Sequence, residues 1–302
     1  MFRLNDLILL IVIFSSMLAG IGFPGFASLF QPFPIYLMMI LLFLSFLSIR
    51  LESIWDTVRL HALTVIWLSL SKMIVIPLIV YFIFKILYPP YAIAALLLTG
   101  ISTGVVAPFI STLVTANVNL VLVIVVISSV LVPFTLPVLV KVLLARSVEI
   151  SLMGMMRILC MVIIVPMLAV QVFRRIAPTA LDVINKRRYP ISLVIFALAN
   201  LGVFSGYSDF FFQNPATILE ATLVAIGLGA IYLVIGLFLL WRAPVENRLA
   251  SVIVLGNMNN ILVIVFASEF FGPLEPTVAA MYMIPFFGLI LPLRAYSRIA
   301  KS

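Results

Sequence analysis

Residues 253–260 read Ile253-Val254-Leu255-Gly256-Asn257-Met258-Asn259-Asn260, an apolar run that stops at a glycine and then presents three amides within one helical turn. Amides so placed are costly in hydrocarbon unless they face protein, water or a ligand, so this stretch is expected to line something. A related pattern stands about half a chain earlier: Leu97-Leu98-Thr99-Gly100-Ile101-Ser102-Thr103 is again apolar, then glycine and small polar residues, then apolar. Gly104 and Pro108 follow, and the segment from Gly100 to Pro108 is predicted to unwind a helix and free its backbone groups. Irregular backbone at membrane depth survives only against protein or a water-filled cavity. Glycine and serine also serve simply to let helices approach, and Gly100 and Gly104 taken alone fit that plainer role as well.

The surroundings of both stretches are apolar enough to require a membrane. Hydrophobic residues make up 65% of the 302 and charged residues 9%, whereas globular proteins average about 45–50% and 25%. Ten acids and eighteen bases cannot give a chain of 33.4 kDa a water-compatible surface. A mean hydropathy of +1.34 agrees. Soluble enzymes, nucleic-acid binders and disordered chains are excluded. The net charge of +8 is the charge of membrane-flanking loops, so no nucleic-acid partner is expected.

A transmembrane helix needs roughly 20 mostly apolar residues. Ten candidates run over 5–22, 33–49, 61–87, 91–115, 118–144, 150–173, 190–212, 217–241, 247–271 and 276–296, separated by breaks such as Phe23-Pro24-Gly25, Pro89-Pro90, Gln213-Asn214-Pro215 and Gly272-Pro273. With ten spans, one face collects Arg3, Arg50, Arg59, Arg174, Arg175, Lys186, Arg187, Arg188, Arg242, Arg248, Arg294, Arg298 and Lys301. The other face keeps only Lys85, Lys141, Arg146 and Arg157. Basic residues concentrate in cytoplasmic loops, so both termini are expected in the cytoplasm and the protein in an inner (plasma) membrane.

The two glycine breaks fall in the fourth and ninth spans. Five spans per half force the second half to insert upside down, giving an inverted repeat of residues 1–149 and 150–302. Such repeats are common in secondary transporters, whose interrupted helices form the binding site near the midplane. The fold expected is therefore an all-α membrane protein of ten transmembrane helices in a five-plus-five inverted repeat.

Several segments together resemble the bile acid:sodium symporter family and its bacterial relatives. They are a first span ending in Gly22-Phe23-Pro24-Gly25, a second reading Leu42-Phe43-Leu44-Ser45-Phe46-Leu47, and a third with Lys72-Met73-Ile74-Val75-Ile76-Pro77-Leu78. The junction Leu113-Val114-Thr115-Ala116-Asn117-Val118-Asn119-Leu120 and the Gly256–Asn260 stretch complete the set. The resemblance implies interleaved panel and core subdomains, discontinuous helices four and nine crossing at their breaks, and sodium ions beside the crossing. Several positions depart from that pattern. Ala107 and Pro108 stand where the family has a Ser-Asn pair, Val121 and Val125 where it has hydroxyls, and Val254 or Leu255 where a glutamate bridges the sodium sites. Asn259 or Asn260 matches the family's asparagine. Aliphatic residues offer sodium no oxygen, so the expected coupling ion is H⁺ or none, with no other cofactor or metal.

Lys72 aligns with a glutamine of one sodium site. It lies roughly 16–18 Å along its span at 1.5 Å per residue, too deep to snorkel fully to either interface. A lysine at that depth costs ~2.5–3.5 kcal/mol on insertion scales and is a functional hypothesis by default. A tethered ammonium could occupy the sodium's place, release a proton during the cycle, hold a substrate carboxylate, or simply bond helix-four carbonyls. The candidate binding residues are Lys72, Gly100, Ser102, Thr103, Gly104, Pro108, Asn257, Met258, Asn259 and Asn260. Ser111, Thr112, Ser128, Asn200 and Glu269 are further possibilities, although hydroxyls often bond their own helix and Glu269 also fits a solvated helix end.

The function expected is secondary transport of a small organic anion by alternating access, independent of sodium. A sodium-coupled symporter of the bile acid type and a proton-coupled exporter of the arsenite or auxin-carrier type are the alternatives. The arsenite exporter's cysteine in the fourth helix is absent, Cys160 lying in the sixth span. A channel would need a continuous polar lining. An enzyme would need convergent catalytic groups, and the chain has one histidine and one cysteine.

Overall fold

The computed structural model describes residues 4–47, 57–144 and 151–300. Arg3, Arg50, Arg146 and Lys301, used in the charge argument, lie outside the described residues. Apolar runs of this length become helices because backbone polar groups in hydrocarbon must be satisfied within the segment itself. The helices are α1 (Leu4–Gly22), α2 (Pro34–Phe46), α3 (Ala62–Leu87), α4 (Ala92–Gly100), α5 (Ala107–Leu113), α6 (Val118–Leu144), α7 (Leu152–Ile176) and α8 (Pro178–Lys186). They continue as α9 (Arg188–Ser205), α10 (Ala216–Leu239), α11 (Val245–Gly256), α12 (Asn260–Phe270) and α13 (Leu274–Ile299).

Six of these, α3, α6, α7, α9, α10 and α13, are long and apolar enough to cross a membrane. Helix α1 and the short helical segment after it, Pro24–Phe30, reach that length and hydropathy only together, and they are bent by 105° where Pro24 follows Phe23; counted as one span they make the number seven. The second expected span appears as the shorter α2. The fourth and ninth are each split in two, as α4 with α5 and α11 with α12. Among the described residues there is no β-strand, only one isolated antiparallel bridge between Thr103 and Met258. Large apolar side chains such as Leu63, Ile66, Val142, Val194 and Phe238 point outward from the bundle, an exposure suited to lipid rather than water.

Helices α1, α2, α7 and α9 pack on one another, with α8 beside α7 and α9, and the remainder gather around the two split helices. Polar ties join the elements. Asn200 Nδ2 donates to the Ile13 carbonyl (3.3 Å) and Ser16 Oγ (3.2 Å), fixing α9 on α1. Arg174 Nη2 donates to the Leu47 carbonyl at 3.0 Å and to that of Phe46 at 3.5 Å, capping the end of α2. Tyr88 and Tyr91 both donate to Glu220 Oε2, at 3.0 and 3.2 Å.

Helices α10 and α11 touch at Gly236, where a Cβ would lie 2.6 Å from Val252 Cα, and the Ser251 hydroxyl donates to the Gly236 carbonyl. A methyl group there must push two backbones apart, at a cost of about 1–3 kcal/mol. At Gly227 on the same helix, a methyl group would meet nothing within 4 Å. Gly236→Ala should therefore lower the melting temperature of the purified protein, whereas Gly227→Ala should leave it unchanged or raise it through helix propensity.

Candidate substrate and ion site

The two split helices meet at their gaps. The Gly104 N–H donates to the Asn257 carbonyl at 2.8 Å, and the Asn259 N–H donates to the Ser102 carbonyl at 3.0 Å. These bonds flank the Thr103–Met258 bridge. Each broken segment thus supplies partners that the other lost by leaving the helix. The approach is close enough to demand glycine, because a Cβ on Gly104 would sit 2.9 Å from the Met258 carbonyl oxygen and 3.1 Å from that of Asn257. Thr103 is held twice more: its Oγ1 donates to the Val254 carbonyl (2.9 Å) and its N–H to Ser128 Oγ (3.1 Å).

Lys72 reaches this junction from α3. Pro77 cannot donate to the preceding turn, and the helix there runs wide as a π-helical segment, Ser71–Val75. Lys72 is fully buried, and its Nζ donates to the Thr99 carbonyl at 2.6 Å. Thr99 lies in the last turn of α4, where carbonyls lack helical donors and the helix dipole is negative. The ammonium therefore sits at the negative end of a half-helix. Thr99 Oγ1 is 2.6 Å from the Tyr232 hydroxyl, and the Tyr232 ring packs edge-on against Tyr282 with centroids 5.8 Å apart. Tyr282 in turn donates its hydroxyl to the Gly256 carbonyl at 2.9 Å, at the end of α11. Each half-helix end thus receives a buried donor.

A cavity of about 100 Å³ adjoins the crossing. Its walls include Leu41, Leu42 and Ser45 of α2, Gly104 to Val106 after the first gap, Met258 to Ile261 at the second, and Met283, Phe286 and Phe287 of α13. Asn259 caps α12 by accepting from the Leu262 N–H at 3.3 Å. Asn260 Nδ2 lies 2.9 Å from Met283 Sδ, and Asn257 Nδ2 donates to the Phe286 carbonyl at 2.9 Å. Three buried oxygens here have no partner: Ser102 Oγ, Asn257 Oδ1 and Asn260 Oδ1.

Lys72, Gly100, Ser102, Thr103, Gly104, Ser128 and the four residues Asn257 to Asn260 are therefore brought together at the junction. Lys72 is absent from the cavity walls. Pro108 stands in the first turn of α5, where a missing N–H does no harm. Ser111 and Thr112 spend their hydroxyls on their own helix, donating to the Ala107 and Phe109 carbonyls. Asn200 ties α9 to α1, and Glu269 is exposed near the end of α12. Tyr232 and Tyr282 are not among the candidates read from the sequence, whereas the Lys72–Thr99 bond is of the helix-four-carbonyl kind that the sequence left open. The roles of the two tyrosines come from pairings 133 and 26 residues apart in the chain, which no local pattern encodes.

A helical bundle with outward apolar side chains, two split helices and a cavity beside the splits has the make-up of a polytopic membrane protein. The sequence matches the family model of the sodium bile acid symporters over residues 34–214, and the chain belongs to that family. No curated protein matches it. The matched region holds Lys72 and the first gap; the second gap lies beyond it.

Asn200 and the crossing should separate experimentally. Asn200→Ala removes two hydrogen bonds between α1 and α9 and should cost about 1–3 kcal/mol while leaving the KM of transport unchanged. Gly104→Ala should abolish transport, because its methyl group has only backbone to displace. Thermal melting and uptake into proteoliposomes read the two effects.

Proposed function

We propose that the chain is a sodium-independent secondary transporter of a small organic anion, working by alternating access, with the Lys72 ammonium in place of a coupling cation. The observation that carries the reading is the 2.6 Å contact from Lys72 Nζ to the Thr99 carbonyl, in the last turn of a half-helix. The surrounding donor set fits a sodium ion poorly. Val121, Val125 and Val254, at the positions where the resemblance puts oxygen ligands, are buried and offer no side-chain oxygen, and Tyr282 already occupies the Gly256 carbonyl. A sodium ion beside a fixed ammonium would also be repelled.

On this reading the ten helical spans form two inverted halves, residues 1–149 and 150–302. The layer of α1, α2, α7 and α9 is the panel, and the split helices belong to the core. Both termini are cytoplasmic in an inner (plasma) membrane. The substrate lies in the cavity between panel and core. No lysine or arginine lines that cavity among the described residues. An anion there is favoured by the N-terminus of α12, whose first residues Asn260 and Ile261 form part of the wall. Lys72 then serves the crossing and not the substrate carboxylate.

Sodium, potassium and choline chloride at equal ionic strength should give the parent protein the same melting temperature. Lys72→Gln should melt lower, by the equivalent of about 1.5–3 kcal/mol for a hydrogen bond to a charged group, and should lose most of its transport. Selective stabilisation of the parent by sodium, or undiminished transport by Lys72→Gln, would overturn the proposal. An imposed pH gradient tests proton coupling: if uptake by the parent follows the gradient and residual uptake by Lys72→Gln does not, the proton belongs to this amine.

A further inference from the structure

The turn from α7 through α8 to α9 carries a second feature, unrelated to the crossing. Within residues 174–188 the sequence places Arg174, Arg175, Lys186, Arg187 and Arg188 against a single acid, Asp182. Arg175, Lys186 and Arg187 are exposed, and their side chains have no ion-pair partner among the described residues. Along helix α8 between them, Leu181 is buried against the bundle and Ile184 half-buried, while Asp182, Val183 and Lys186 are exposed on the other side. Leu168, Val172 and Ile176 form an exposed apolar strip on α7 that leads up to the basic residues.

We infer that this turn is a binding site for an anionic phospholipid, with Arg175 before α8 and Lys186 and Arg187 at its far end supplying the positive charge for the headgroup, and an acyl chain lying along the strip on α7. Charge complementarity selects an anionic head, and the continuity of basic and apolar surface along one membrane-length helix selects a lipid over a soluble partner. Guanidinium groups suit phosphate because they offer several donors in a planar fork. The neighbouring Arg174 grips the carbonyls of Phe46 and Leu47 at the end of α2, and α2 walls the cavity. A lipid seated here would hold the α7 end against the helix that borders the transport site.

The test uses the full-length protein in detergent, with phosphatidylglycerol or phosphatidylcholine of the same acyl chains. Phosphatidylglycerol should raise the melting temperature above that in phosphatidylcholine and remain bound in native mass spectra. The triple variant Arg175→Gln, Lys186→Gln, Arg187→Gln should bind it about a hundredfold more weakly, since each basic residue near an anionic surface contributes roughly fivefold. The pair Arg242→Gln, Arg298→Gln, basic residues elsewhere in the chain, should retain it as the parent does. Equal retention by the triple variant, equal loss in the control pair, or the same stabilisation from inorganic phosphate or an acidic peptide would overturn the inference. Should the triple variant not fold, Lys186→Gln alone must still lower retention by about fivefold. These readouts do not involve transport, so they stand or fall apart from the role proposed for Lys72.

Discussion

A carbonyl at the end of a broken helix, deep in a medium without water, must find a donor, and the structure is arranged around that need. An unsatisfied buried acceptor costs about 1–3 kcal/mol, and each half-helix end concentrates several of them beside a negative dipole. At the end of α4 the donor is an ammonium, Lys72; at the end of α11 it is a phenol, Tyr282. Between them the two gaps exchange backbone hydrogen bonds. Tyr232 connects the two ends, bonding Thr99 on one side and packing on Tyr282 on the other. The crossing is therefore one linked unit, and its members come from α3, α4, α10, α11 and α13.

Close packing follows from the same arrangement. Two unwound segments exchange backbone bonds only if nothing stands between them, which is why Gly104 faces two carbonyl oxygens. The satisfaction is nevertheless incomplete. Ser102 Oγ, Asn257 Oδ1 and Asn260 Oδ1 remain without partners, and Asn260 borders the cavity. Buried polar atoms left open in an otherwise well-paired region are expected where a ligand or ordered water enters. Of the three, the Asn260 oxygen belongs to a residue of the cavity wall, and the Ser102 and Asn257 oxygens lie at the gaps behind it.

Much of this was legible in the chain because it is local. Runs of apolar residues announced the helices, and glycine followed by small or amide residues announced both gaps. The depth of Lys72 in its span marked it as exceptional. The bend after α1 and the shortness of α2 were less visible, since hydropathy alone does not say where within an apolar run a helix bends or stops. Asn200 illustrates the limit from the other side. A polar residue in mid-span reads equally as a lining group or as a tie between helices, and only the carbonyl of Ile13, far off in the chain, decides for the tie. Tyr232 and Tyr282 could not be singled out because two tyrosines in apolar runs carry no signal until their partners are placed.

A tethered charge differs from a bound ion in what it can do over a cycle. A sodium ion arrives with its own gradient and leaves again, so its binding energy links substrate movement to that gradient. An ammonium fixed to α3 never leaves, and it stabilises the α4 end in every state in which the two helices stay together. On the proposed reading, sodium coupling is therefore lost, and what replaces it depends on whether the proton moves. If Lys72 keeps its proton, the crossing is a permanent brace and the transporter follows its substrate gradient. If the proton is shed, the Thr99 carbonyl loses a charged donor and the end of α4 is released from α3. Protonation would then control a tie within the core, between α3 and the end of α4, next to the backbone bonds that join the two gaps.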